Sequence, residues 1–293
     1  MRIRVGGLSF EIPDGAAALP PALVPWLDDN RDAPPTATCT LSAENPDDTG
    51  AVLFDPGHCW RVESAEEGLR IAVLSDVRTR TAFHTLTLDA SLSKGTVHLH
   101  KEVLVDGEGP FLLRAPMLEL WTSFLLMRGR GLLVHGLGVL HDGAVTIFAG
   151  KSGAGKSTLG HLFADAGKGH ILSDDRLIVR QEEDGWRVFG TPWHGEAQFA
   201  SPASGPLRAI CFLRQAPTCG LVPLPAASAA ARLFATCFLA GWPREEGLQS
   251  VLDICARVAA RVPCAELSFT PDGRALETRS EERRVGKECT IQC

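Results

Sequence analysis

The chain has 293 residues, 45% of them apolar and 22% charged, which is long enough for two ordinary domains and excludes a disordered chain. A formal net charge of −6 supplies no broad basic surface, so duplex DNA or RNA held mainly through its phosphates is excluded as a partner. An acidic protein can still bind one nucleotide through a local nest of backbone amides.

The N-terminus, MRIRVGGLSFEIPDG, alternates apolar and polar residues with no uninterrupted apolar run behind a basic start. We therefore expect no signal peptide and a cytoplasmic location. From Met1 to about Arg114 short alternating segments read as strands: Arg2–Val5, Leu8–Ile12, Ala51–Phe54, Trp60–Val62, Arg70–Leu74, Thr85–Leu88, Thr96–His100 and Phe111–Arg114. The stretches PDGAAALPPALVP, NRDAPPTA and ENPDDTG read as loops between them. Residues 1–115 are thus expected to form a strand-rich N-terminal domain, without the fixed period of a solenoid. His98 and His100 share one side of a strand and, with no third ligand nearby in sequence, read as sheet residues.

Met117–Arg128 (MLELWTSFLLMR) suits a buried helix stopped by Gly129 and Gly131. It opens a second domain, 116–278. Beyond the glycines the chain reads as a strand, a turn at His141-Asp142-Gly143, a strand over Ala144–Phe148, a loop, a helix over about Lys156–Ala166, and a strand beginning at Ile171–Leu172. Leu224–Trp242 comes nearest to a membrane span, but it carries Arg232, Ser228, Thr236 and many alanines. It suits a packed helix, and no membrane partner is expected.

Cys39, Cys59, Cys211, Cys219, Cys237, Cys255 and Cys264 contain no CxxC pair and no zinc-site spacing, so they read as buried small apolar residues. The run RSEERRVGKEC, Arg279–Cys289, resembles the translation of a sequencing-adapter oligonucleotide. Residues 279–293, with Cys289 and Cys293, are read as a non-native tail outside the fold.

Between the strand and the helix lies GKSGAGKST, residues 150–158. It meets the pattern G-x-x-x-x-G-K-[ST] at Gly150, Gly155, Lys156 and Ser157, with Gly153 as an additional glycine. Such a loop turns its N–H groups inward around phosphate oxygens, along a path that a Cβ obstructs. The helix aims its positive dipole end at the same phosphates. Gly150, Ser152, Gly153, Ala154, Gly155, Lys156, Ser157 and Thr158 are the expected nucleotide-binding residues. Lys156 reaches the β and γ oxygens, and the Ser157 hydroxyl ligates Mg²⁺.

Ser173-Asp174-Asp175 ends the next strand, where proteins of this kind carry an acidic residue for the metal. Two carboxylates suggest one for the metal and one for the proton of an acceptor hydroxyl. A capping or solvated role for one of them is the alternative. His135 precedes the strand that feeds the loop, and alone it reads as a hydrogen-bonded core histidine. Trp193, His194 and Glu196 lie in a Gly/Pro-bounded loop that suits either a lip of the site or a turn with a packed tryptophan. Arg208 and Arg214 suit neutralisation of transferred phosphate, but read first as surface or ion-pair residues.

The order Val134-His135-Gly136, Gly136-Leu137-Gly138-Val139-Leu140, Gly150–Ser157 and Asp174-Asp175, covering about residues 130–180, resembles the serine kinase of the phosphocarrier protein HPr. The resemblance implies an α/β fold with the P-loop kinase domain of ATP-dependent phosphoenolpyruvate carboxykinase. It places His135 beside the reacting phosphates, gives ATP and Mg²⁺ to Lys156 and Ser157, and divides base and metal ligand between Asp174 and Asp175, with Asp174 favoured as base and Asp175 as metal ligand. Thr158 departs from the glutamate usual in those enzymes, and their later arginine-rich signature has no counterpart. With GTPWHGEAQFASPASGPLRAICFL (190–213) and VPCAELSFTPDG (262–273) included, the arrangement is closer to HPr-kinase-related proteins found beside genes for ribosomally made, modified peptides. The implied reaction is transfer of the γ-phosphoryl of ATP to a serine of a peptide or small protein. The alternatives are a small-metabolite kinase and a non-catalytic ATP-binding switch that recognises a partner. HPr kinases assemble as hexamers, so the resemblance also leaves a homo-oligomer open.

Overall fold

Alternating apolar residues form strands where one face of each can be buried, and the chain divides into two compact units. The computed structural model describes residues 1–13, 19–42, 44, 50–74, 82–99, 116–151, 153–239 and 245–270. The expected strand at Phe111–Arg114, His100, Ser152 and the tail 279–293 lie outside the described residues.

The first unit falls within Met1–Leu125 and Leu239–Gly247. Its strands are β1 (Arg2–Val5), β2 (Leu8–Glu11), β3 (Ala37–Ser42), β4 (Val52–Phe54), β5 (Trp60–Ala65), β6 (Gly68–Leu74), β7 (Ala82–Asp89) and β8 (Lys94–Leu99). They form one sheet in the order β1-β2-β3-β8-β7-β6-β5-β4, with parallel pairing at β2/β3 and β3/β8. Strand β3 has no counterpart among the expected strands, and a 3₁₀ turn over Pro21–Trp26 occupies part of an expected loop. His98 bonds the Glu44 carbonyl through Nδ1 at 2.8 Å and the Thr87 hydroxyl through Nε2 at 3.2 Å, as suits a sheet residue.

Helix α1 (Met117–Leu125), expected to open the second domain, packs instead within the first unit through its tryptophan. Trp121 is fully buried, meets Phe10 edge-on at 5.4 Å, and donates its indole N–H to the Leu92 carbonyl at 2.8 Å. A Cβ on Gly95 would lie 2.7 Å from the Trp121 ring. Gly95→Ala is therefore expected to destabilise the protein by about 1–3 kcal/mol through overpacking, measured as a lowered denaturation midpoint.

The second unit falls within Leu126–Phe238 and Leu248–Cys293. It holds β9 (Leu132–His141), β10 (Ala144–Ala149), α2 (Lys156–Asp165), β11 (His170–Ser173), β12 (Arg176–Glu182), β13 (Gly185–Gly190), β14 (Ser204–Gln215), β15 (Gly220–Pro223), α3 (Ala226–Thr236) and β16 (Cys264–Phe269), together with α4 (Glu245–Arg261) from Leu248 onward. The sheet runs β10-β9-β12-β13-β14-β16-β15, and β10 also pairs with β14, which closes β10-β9-β12-β13-β14 into a ring. Strand β9 makes this possible by pairing with β12 over Leu132–His135 and with β10 over Gly136–His141. Leu137, Val139, Phe148, Leu159, Phe163, Ile171 and Cys211 form a core beneath α2.

The architecture is thus mixed α/β with two large sheets. No helix among the described residues is long and apolar enough to cross a membrane; α3 fills only part of Leu224–Trp242. The seven described cysteines are free thiols. Cys39, Cys211, Cys255 and Cys264 are buried as expected, whereas Cys59 is exposed because its segment lies outside the core.

Candidate active site

Strand β10 runs beside β14 into the glycine loop, and α2 starts at Lys156 immediately after it. Gly155 adopts the left-handed conformation at φ 99°, and a Cβ there would stand 2.5 Å from the Phe269 ring. No described side chain caps α2, so its first-turn N–H groups are left for an anion. A Cβ on Gly153 would meet nothing within 4 Å.

Lys156 is 7% exposed and folds back over the loop, its Nζ donating to the carbonyls of Gly150 at 2.9 Å and Lys151 at 3.2 Å. Burial lowers the pKa of this ammonium, with Arg176 adding to the effect, while Asp175 and Asp174 oppose it. The loop and the aspartates are joined through β9: Ala149, just before the loop, pairs with Gly136, and the Gly136 N–H donates to the Asp175 carbonyl at 3.1 Å.

The aspartates sit at the bend between β11 and β12. The Ser173 hydroxyl accepts the N–H groups of Asp175 and Arg176, both at 3.2 Å, and shapes that bend. Asp175 Oδ1 lies 2.9 Å from His135 Nε2, and Oδ2 accepts from Arg176 at 2.8 Å. Burial by itself raises the Asp175 pKa, but the bond from His135 and the charges of Arg176, His135 and Lys156 outweigh it and hold the carboxyl below its ordinary value. Strand pairing sets His135 opposite Arg176, and the Arg176 guanidinium lies 4.8 Å from the centre of the Phe238 ring.

Asp174, assigned the base by resemblance, is 2% exposed, and its two oxygens accept the backbone N–H groups of Gly195 and Ala197 at 2.9 Å each. Ser157 is partly exposed and Thr158 exposed. Within the expected lip, Trp193 is partly buried, while His194 and Glu196 are exposed. Arg214 pairs with Glu266 at 3.1 Å, and Arg208 donates to the Asp142 carbonyl at 3.1 Å.

An open cleft of about 390 Å³ adjoins the loop, lined by Gly155, Thr158, Gln215, Ala216 and Phe269. Gln215 Nε2 donates to the Gly153 carbonyl at 2.7 Å and so fixes the loop from the end of β14. Arg176 and Gln215 join the site without belonging to any motif in the sequence, and Phe269 does so from within VPCAELSFTPDG (262–273), a segment to which the sequence attaches no site role. Arg176 adjoins the aspartate pair in sequence, which is a local signal for it, whereas Gln215 and Phe269 end strands distant in sequence from the loop.

Ser157 and Asp175 offer the hard oxygen donors that Mg²⁺ prefers, a metal that takes its remaining ligands from water and substrate phosphates. Among the described residues no group of three or more His, Cys, Asp or Glu side chains is placed to hold a metal ion.

Fold and site together define a mixed α/β protein whose glycine loop joins a strand to a helix beside a histidine–aspartate pair. Residues 122–278, more than half of the chain, match the family model described as SynChlorMet cassette protein ScmC, and the chain belongs to that family. Among solved structures, the HPr(Ser) kinase/phosphatase from Coxiella burnetii is similar at a TM-score of 0.31 and 12% identity, over 52% of this chain and 90% of that one. A likeness this loose establishes neither activity nor substrate. No curated protein matches the sequence.

Proposed function

We propose that the protein is an ATP-dependent phosphotransferase that moves the γ-phosphoryl group to a serine hydroxyl of a peptide or small protein, with Mg²⁺ as the cofactor. The observation behind the reading is geometric: Ala149, the residue before the glycine loop, pairs with Gly136, whose N–H donates to the Asp175 carbonyl at 3.1 Å, so strand pairing brings a phosphate-binding loop and the carboxylate pair to one place. Phosphoryl transfer is achieved mainly by positioning and by stabilising charge on the transferred group, so this combination has what the reaction needs.

In this reading the loop amides and Lys156 receive the β and γ phosphates, with Gly150, Ser152, Gly153, Ala154, Gly155, Ser157 and Thr158 around them. The Lys156 ammonium leaves its two backbone carbonyls for the phosphate oxygens, which bind it more strongly because they are charged. Ser157 and Asp175 would hold Mg²⁺, which when bound neutralises charge on the phosphate oxygens. His135 is kept beside the phosphates by its hydrogen bond to Asp175. The nucleoside lies in the cleft over Ala216 and Phe269, where Gln215 holds the loop in its receptive shape. Gln215→Ala is expected to weaken binding of a fluorescent ATP analogue by roughly 2–10-fold, as for loss of one neutral hydrogen bond; titration of wild type and variant checks this.

Incubation with ATP, Mg²⁺ and a pool of serine-containing peptides, followed by mass spectrometry, tests the acceptor class. Phosphoserine made by the wild-type protein supports the reading. Phosphate found only on small metabolites, or ATP bound without transfer, supports the metabolite-kinase or nucleotide-switch alternative.

A further inference from the structure

The two neighbouring aspartates face different partners. Asp175 keeps a quarter of its side chain exposed and turns to His135 and Arg176. Asp174 is enclosed, with Oδ1 taken by the Gly195 N–H and Oδ2 by the Ala197 N–H. A base must bring an oxygen within hydrogen-bond reach of the acceptor hydroxyl. At 2% exposure, with an amide on each oxygen, Asp174 presents far less of its carboxylate to an incoming hydroxyl than Asp175, whose side chain is 25% exposed.

The segment that Asp174 grips is fastened near its ends. The Thr191 hydroxyl donates to the Arg176 carbonyl at 2.8 Å, and the Ser201 N–H donates to the Leu172 carbonyl at 2.9 Å. Between them Gln198 is a non-glycine residue at φ 58°, with its N–H bonded to the Gly195 carbonyl at 3.2 Å. Such a conformation persists only when its surroundings hold it. Along the segment His194, Glu196 and Gln198 are exposed, while Gly195 and Ala197 between them are partly buried and give their amides to Asp174.

We propose that Asp174 is a positioning residue: its carboxylate latches Trp193–Gln198 beside the phosphate site, and this segment forms the wall that receives the acceptor peptide. Asp175 is then the carboxylate of the pair that meets the reacting groups. The exposed side chains of His194, Glu196 and Gln198 suit hydrogen bonding to a polar peptide, His194 through Nε2 because its Nδ1 lies 3.0 Å from the Gly195 carbonyl oxygen. The inference deepens the kinase reading and rests on it for the acceptor; the latch itself has a readout independent of activity.

The test is hydrogen–deuterium exchange with mass spectrometry on the full chain, comparing wild type, Asp174→Asn, Asp175→Asn and Gly195→Ala. Asparagine keeps one acceptor oxygen but sets an NH₂ group against the second backbone N–H, so it breaks half of the latch. Exchange over residues 193–198 is expected to rise about ten-fold in Asp174→Asn and to stay at the wild-type rate in Asp175→Asn. Gly195→Ala works from the opposite side, because its Cβ would lie 2.8 Å from Asp174 Oδ2. It retains both carboxylate groups, presses hardest on Asp174 and less closely, at 3.2 Å, on the Asp175 Cβ, and is expected to raise exchange over the same residues.

With the serine-peptide pool, both latch variants are expected to lose more transfer at limiting than at saturating peptide, while binding the fluorescent ATP analogue within about two-fold of wild type. Unchanged exchange in Asp174→Asn, combined with collapsed transfer at saturating peptide, overturns the proposal and makes Asp174 the base. If the wild-type protein transfers nothing to peptide, the kinase reading fails while the exchange comparison still decides the latch.

Discussion

Lys156→Ala is expected to lower phosphoryl transfer by about a thousand-fold while leaving the fold intact. The rate effect follows from removing the loop side chain that meets the developing negative charge with a full positive charge. The intact fold follows from the state of the lysine without ligand. Its ammonium is buried, its pKa is lowered by that burial, and its bonds are to two carbonyls of its own loop. Taking such a charge out of the interior removes a desolvation cost along with two hydrogen bonds, so the net change in stability is expected to stay within about 1 kcal/mol. Transfer rate and denaturation midpoint, measured on the same preparation, separate the two effects.

Asp175→Asn is the second large effect, with an expected loss of about a hundred- to ten-thousand-fold in transfer. In the wild-type protein the carboxylate accepts from Arg176 on one oxygen and pairs with His135 on the other. Asparagine removes the charge and offers an NH₂ where one partner needs an acceptor, so His135 or Arg176 loses its hold. Arg176 keeps its contact with Phe238, and the pair is partly exposed, so the stability loss is expected to be only about 1–2 kcal/mol. A variant that transfers at the wild-type rate would remove Asp175 from the chemistry.

The elements dictated by local sequence were legible. Two-residue alternation marks strands such as β1 and β8, and Gly129 and Gly167 stop helices at positive φ. The glycine loop announces itself because strand, loop and helix are contiguous. Strand β3 is not legible in the sequence because its inward residues, Ala37 and Cys39, are small and its outward ones are threonines. Its apolar signal is weak although its pairing with β8 is regular.

Within the candidate site, the contacts between neighbours in sequence could be anticipated as a cluster, but not their directions. Nothing in Asp174-Asp175 says that one carboxylate turns to two amides of a later loop and the other to a histidine of an earlier strand. Those directions are set by the ring closed through β9 and β14, which brings Gly195 and Ala197 to Asp174, and Gln215 to Gly153. Such closure depends on pairing between distant segments, and a periodicity read along one segment carries no trace of it.

The most direct test of the central claim follows the γ-phosphate of labelled ATP in the presence of Mg²⁺ and the serine-peptide pool, with wild type, Lys156→Ala and Asp175→Asn side by side. We expect label on peptide with the wild-type protein, its loss in both variants, and its loss when Mg²⁺ is chelated. Label that stays entirely on ATP with the wild-type protein, although a fluorescent ATP analogue binds, would contradict the kinase account and leave a nucleotide-dependent switch in its place.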